Sequence, residues 1–98
     1  MAVYYIGSYD ILDMGEFKNY PPKVAALLSK YGGQVLASDV EAIGLEGKPK
    51  TMNAIVKFPS KESALGFYND PEYQENIRPI RIRSTDNCTM VLVKEFTQ

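Results

Sequence analysis

Apolar residues fall on both sides of the opening segment AVYYIGSYDIL: Val3, Tyr5, Tyr9 and Ile11 alternate with Ala2, Tyr4, Ile6 and Leu12. Its β-branched and aromatic content predicts a strand, and two apolar faces mean that each side needs a cover. Asp13 followed by Glu16 has capping-box spacing, with Asp in place of Ser or Thr, and predicts a helix start. Phe17, Tyr20, Val24, Leu27, Leu28 and Tyr31 then recur at helical spacing up to Gly32-Gly33, which serve as the C-cap. Pro21-Pro22 interrupts that stripe, and its missing backbone donors predict a kink or two abutting helices.

QVLASDVEAIGLE predicts a second, less regular strand, and EGKPKT at 46–51 is the longest loop candidate. TMNAIVKFP predicts a third strand with Met52, Ala54, Val56 and Phe58 on one face. Ser60 is a suitable N-cap for a short helix whose apolar face is Ala64, Leu65, Phe67 and Tyr68. Asn69-Asp70-Pro71 interrupts that helix and restarts it at once, Asp70 as cap and Pro71 as first helical residue, with Tyr73 and Ile77 facing inward. NCTMVLVKEF predicts the closing strand. The order β-α-β-β-α-β makes residues 1–98 a single α+β domain of ferredoxin-like βαββαβ type, with a four-stranded antiparallel sheet and helices on one face. The other face then needs a cover, and a second copy of the same sheet, in a homodimer, is the expected one.

At 98 residues the chain is one domain, and 45% hydrophobic with 23% charged residues is an ordinary globular composition. VAALL, its longest aliphatic run, is far too short for a membrane span, and MAVYYIGSYD lacks a basic n-region and a cleavage site. A cytoplasmic protein is expected. The lone Cys88 cannot form an intramolecular disulfide. The absence of histidine excludes histidine-activated nucleophiles, histidine general-base chemistry and histidine metal or haem ligation. No metal and no cofactor are expected. Eleven basic against twelve acidic residues leave no field for phosphate backbones. In AIVKF on the third strand, Asn53 and Ile55 stand where an RNA-recognition domain needs stacking aromatics, so neither nucleic acid nor membrane is an expected partner.

YGGQVLASD, LEG at 45–47, VKFPSKESALGFYNDPEYQ and PIRIRST together resemble the bacterial domain of unknown function 1330 family, within the dimeric α+β barrel superfamily. The resemblance covers nearly the whole chain, and FPSKESALGFYNDPEYQ is its specific part. It implies a homodimeric α+β barrel in which two four-stranded sheets face each other with helices outside. It implies no single activity, because the superfamily spans cofactor-independent monooxygenases, haem-degrading enzymes, muconolactone isomerases and chlorite-dismutase-like proteins. Ser38 stands where the family often has an arginine, Phe67 where tryptophan is common, and Asp70 where serine is common before PEY.

Arg78, Arg81 and Arg83 close the second helical region. Arg81 matches the family's arginine after the proline, and a guanidinium beside tyrosines can grip a carboxylate or enolate. The plainer alternative is that all three answer the helix dipole in solvent. Tyr5, Tyr9, Tyr20, Tyr31, Tyr68 and Tyr73 either line a pocket or fill the core with the hydroxyl at its rim. Asp10, Asp13, Asp39 and Glu41 read as solvated or capping carboxylates. The expected site is a helix-sheet pocket at Tyr68, Tyr73 and Arg81 for a small acidic or aromatic metabolite, with Phe67 and Ile77 structural. A small organic anion is the possible ligand. Two alternatives stand beside it: a cofactor-independent monooxygenase or isomerase in which a tyrosine and an arginine stabilise an enolate, and an accessory module without a ligand.

Overall fold

The computed structural model describes residues 1–97. Four strands, β1 (Val3–Ile11), β2 (Gln34–Asp39), β3 (Met52–Phe58) and β4 (Thr85–Lys94), form one antiparallel sheet in the order β2-β3-β1-β4. Helices α1 (Met14–Phe17), α2 (Tyr20–Leu28), α3 (Lys61–Asn69) and α4 (Arg78–Ser84) complete the ferredoxin-like fold. The slab measures 35 × 34 × 17 Å.

Local chemistry sets most of the boundaries. Asp13 accepts from the Glu16 backbone N–H at 3.1 Å to start α1, and Ser60 accepts from Ser63 N–H at 3.1 Å to start α3. Two abutting helices replace one at the proline pair, because Pro21 and Pro22 sit in the first turn of α2, where no backbone donor is needed. Gly32 closes the following 3₁₀ turn with φ of 69°.

The second strand is shorter than its apolar content suggests. It ends at Asp39, whose carboxylate accepts from the Glu41 N–H at 2.7 Å and turns the chain, so VEAIGLE belongs to a loop over 40–51. Ile43 and Leu45 on that loop are 87% and 92% exposed.

From Pro71 to Ser84 the helix runs on through a π turn, Tyr73–Ile77, into α4. The Arg78 N–H bonds the Tyr73 carbonyl, a five-residue step. Pro79 supplies a reason: it has no N–H and its ring would press on the carbonyl four residues back, and the wider turn relieves both. Tyr73, Ile77, Ile80, Arg81 and Ser84 all end up buried.

The core lies between the helices and one sheet face: Val3, Tyr9, Met52, Val56 and Phe58 from the sheet against Phe17, Tyr20, Leu28, Ala64, Phe67, Tyr73, Ile77 and Ile80. Cross-strand pairing sets Tyr4, Ile6, Ile55, Val91 and Val93 on the opposite face, where Ile6 stands between Ile55 and Val91. Val91 and Val93 are exposed there.

Candidate functional site

The three residues singled out in the sequence lie close together at different depths. Tyr68, near the end of α3, is half-buried and lines a pocket of about 240 Å³ with Tyr5, Ala64, Leu65, Met90 and Leu92. Tyr73 stands directly behind it, fully buried, with ring centroids 5.5 Å apart. Arg81 is buried as well, 2% exposed, so the reading of a solvated cation at a helix end is incorrect for this residue. Its position follows from helical spacing: Tyr73, Ile77 and Arg81 fall on one inward stripe at steps of four. Arg83, by contrast, is an exposed cation, paired with Glu16 at 2.6 Å. Phe67 and Ile77 are core residues, Phe67 packing at 4.9 Å from the Tyr73 ring.

Two sheet features open the pocket. Gly7 on β1 pairs with Met90 on β4, and a Cβ at Gly7 would meet the Met90 sulfur at 2.9 Å, so glycine leaves room for that thioether to lie across the strand. Tyr5, two residues earlier, points to the same side and pairs with Leu92. Its hydroxyl is buried away from solvent and lies near Tyr73, and burial first and Tyr73 second raise its pKa. Tyr73 bonds the Tyr20 hydroxyl at 2.7 Å.

Electrostatics single out Arg81. Nη1 donates to Cys88 Sγ at 3.1 Å, Nε is buried without a partner, and the guanidinium carbon sits 5.9 Å from the Tyr9 ring centroid. The ion pairs among the described residues are Lys30–Asp70 and Arg83–Glu16, so Arg81 has no carboxylate. Burial opposes its charge, while the Tyr73 and Tyr20 oxygens and Cys88 favour it, and the balance holds its pKa above the ordinary arginine value. Burial also drives the pKa values of Tyr5, Tyr9 and Tyr20 upward, so these phenols stay protonated and able to donate. The result is a buried positive charge among tyrosine side chains; neither Arg81 nor Tyr73 lines the apolar pocket at Tyr68.

Asp70 does a different job. Its carboxylate accepts from Tyr31 Oη, from Lys30 Nζ at 3.3 Å and from the Glu72 N–H at 2.8 Å, tying the 3₁₀ turn to the restarted helix. Gly66 permits this, since a Cβ there would meet the Tyr31 ring at 2.9 Å. The Tyr31 hydrogen bond, then the Glu72 N–H, hold the Asp70 carboxyl below its usual 3.8. A depressed carboxyl stabilises the fold above the unfolded value and loses that contribution as pH falls through the folded one. Thermal unfolding between pH 5 and pH 2 is therefore expected to show a drop beginning near pH 4 that is smaller in Asp70→Asn; equal drops in both proteins would refute the assignment.

The other acidic candidates are structural or solvated. Asp10 accepts from Thr51 N–H at 3.2 Å and Asn87 at 3.0 Å, and no three His, Cys, Asp or Glu side chains converge among the described residues. Ser38 lies on β2 beside a smaller pocket lined by Tyr9, Tyr20 and Val35, away from Tyr68. No described helix is long and apolar enough to cross a membrane.

Comparison with solved structures agrees with the fold. A protein of unknown function from Rhodopseudomonas palustris superposes with a TM-score of 0.80 at 14% identity, over 99% of this chain and 84% of that one. A dimeric, ferredoxin-like protein of unknown function from Bacteroides fragilis gives 0.66 at 13% identity, covering 96% of each chain. An antibiotic biosynthesis monooxygenase gives 0.56 at 15% identity over 99% of this chain and all of that one, a likeness of fold alone. No curated protein matches the chain in sequence. The profile of one family, Domain of unknown function (DUF1330), matches residues 2–96, and the protein belongs to that family.

Proposed function

We propose that the protein is a cytoplasmic homodimer that binds a small organic anion, an acidic or aromatic metabolite, in the pocket at Tyr68 with its negative end toward Tyr73 and Arg81. The observation that carries this reading is Arg81: a guanidinium 2% exposed, with a buried, unpartnered Nε–H and no carboxylate partner among the described residues. No carboxylate among the described residues pairs with that charge, and a ligand carboxylate would. At an effective dielectric of about 20, an anion about 8 Å away gains about 2 kcal/mol from one unit charge, so the guanidinium need not touch the ligand to select its sign. Lining the pocket largely with apolar groups leaves little to compete with that field. A thermal-shift screen of small carboxylates against primary amines of equal size tests the sign of the site. Carboxylates should raise the midpoint and amines should not; stabilisation by amines alone, or by neither set, would reject the reading.

Dimerisation is supported by the apolar sheet face of Tyr4, Ile6, Ile55, Val91 and Val93, and by the dimeric state of the Bacteroides fragilis neighbour. The cover for that face is a second copy, which would close two sheets into a barrel. Ile6→Lys places a charge at its centre, so at about 10 μM the wild type should sediment as a species of about 22 kDa, twice the 11.0 kDa chain, and the variant as a monomer. A monomeric wild type contradicts the dimer.

A further inference from the structure

Cys88 sits where β4 bends. Between the pairs Ser8–Thr89 and Asp10–Asp86, the single residue Tyr9 of β1 faces two of β4, Asn87 and Cys88, which makes a β-bulge. Asn87 takes a left-handed φ of 55°, its Nδ2 donates to Asp10 at 3.0 Å, and its backbone N–H donates to Asp86 at 2.8 Å. Those bonds fix the bulge, and a bulge re-aims the side chains beside it. Cys88 shares its side of β4 with Met90 and Leu92, which line the pocket at Tyr68, so it faces the helices and not the sheet face that a second copy would cover. It is exposed there.

What distinguishes this thiol is the group behind it. Arg81 is 2% exposed, its Nε–H has no partner, no carboxylate among the described residues pairs with it, and its Nη1 donates to Cys88 Sγ at 3.1 Å. The buried guanidinium is thus aimed at an exposed sulfur. A charged donor in that position stabilises negative charge that develops on an atom bonded to the sulfur or leaving it.

We infer that Cys88 is a modification site at which a hydroperoxide converts the thiol to a sulfenic acid, and that Arg81 both speeds this step and holds the product. The sulfur attacks one oxygen of the peroxide: the S–O bond forms, the O–O bond breaks, and the thiol proton ends on the departing oxygen. That oxygen leaves as water from hydrogen peroxide, or as an alcohol from an organic one. The sulfur is oxidised by two electrons and the peroxide is reduced by two. Arg81 faces the oxygen that gains charge in the step, and the sulfenate then supplies the anion that the guanidinium lacks within the chain. Cys88 is the only cysteine, so no thiol of the same chain can condense with the sulfenic acid, and an external thiol must restore it. The inference goes beyond the anion-binding reading and does not rest on it, because Cys88 is not on the lining of the pocket at Tyr68.

The test treats the wild type, Arg81→Met, Arg81→Lys and Cys88→Ser with hydrogen peroxide in excess dimedone and follows the sulfenic-acid adduct by intact mass. The wild type should form a single adduct, at least about tenfold faster than N-acetylcysteine amide under the same conditions. Arg81→Met should be slower by about tenfold or more, Arg81→Lys should recover part of that loss, and Cys88→Ser should form no adduct. A wild-type rate no greater than that of the free thiol overturns the inference, whether or not the arginine variants fold. So does an Arg81→Met rate equal to the wild type, a loss that lysine does not ease, or an adduct in Cys88→Ser.

Discussion

Tyr73→Ala is expected to lose about 3–5 kcal/mol of stability, the range for removing a large buried aromatic, while Tyr73→Phe loses about 1 kcal/mol. The difference follows from what each change removes. Tyr73 is fully buried and its ring contacts Phe67 at 4.9 Å, Tyr68 at 5.5 Å and Tyr20 at 6.4 Å, so alanine leaves a cavity where α3, the π turn and α2 meet. Phenylalanine keeps those contacts and removes the 2.7 Å bond to Tyr20, whose hydroxyl is left unpaired, together with the oxygen near Arg81. A domain of this size is stable by about 5–15 kcal/mol, so the alanine variant should unfold well below the wild-type midpoint in urea. A loss below about 1 kcal/mol on Tyr73→Ala would mean that the pocket collapses to fill the space and that Tyr73 is not the partition between pocket and core.

Arg81→Met is expected to shift stability in the opposite direction. Methionine follows the path of the arginine stem and removes a buried charge that has no carboxylate to leave behind. Removing only one member of a buried pair is destabilising because the partner is stranded; here the remaining neighbours are the Cys88 sulfur and the Tyr20 and Tyr73 phenols, which already bond each other. The expected gain is about 1–3 kcal/mol, or roughly 4–8 °C of midpoint per kcal/mol for a domain of this length. A stability gain on deleting a buried residue is the signature of a group kept for binding. A comparable loss would instead mark Arg81 as a strut held by the tyrosine oxygens, and the binding reading would lose its main support.

Much of this was legible in the sequence because caps and prolines act locally. Asp13, Ser60 and Asp70 mark helix starts through bonds within three residues, and Pro21 and Pro71 through their fixed backbone angle, so the helix count follows without tertiary information. Alternation along β1 and β3 gave the sheet faces for the same reason. The end of β2 was not legible: Val40, Ile43 and Leu45 look like strand residues, and their exposure depends on the Asp39 turn and on what the loop fails to meet in one copy. The π turn was also hidden, because it answers a conflict between Pro79 and a carbonyl rather than any periodic signal.

The site was legible in part. Steps of four from Tyr73 place Arg81 on the inward stripe, and the resemblance pointed to the same residue. That no carboxylate meets it could not be read, because a missing partner is a fact about every other acidic residue in the folded chain. Tyr5 was one of several candidate pocket tyrosines, and nothing local separates it from Tyr9; only the fold puts one on the pocket at Tyr68 and the other on the smaller pocket beside Ser38.

The central claim, that an anionic ligand answers the buried charge of Arg81, is tested most directly by following the Arg81 Nε–H signal by NMR while benzoate is added. The signal is identified by its absence from Arg81→Met, because the Arg78 Nε–H is shielded from solvent as well. The account predicts a saturable shift of that resonance, together with those of Tyr5 and Tyr68, and no saturable shift in the Arg81→Met protein. An Arg81 Nε–H resonance that stays unmoved while benzoate saturates the protein would place the ligand elsewhere and contradict it.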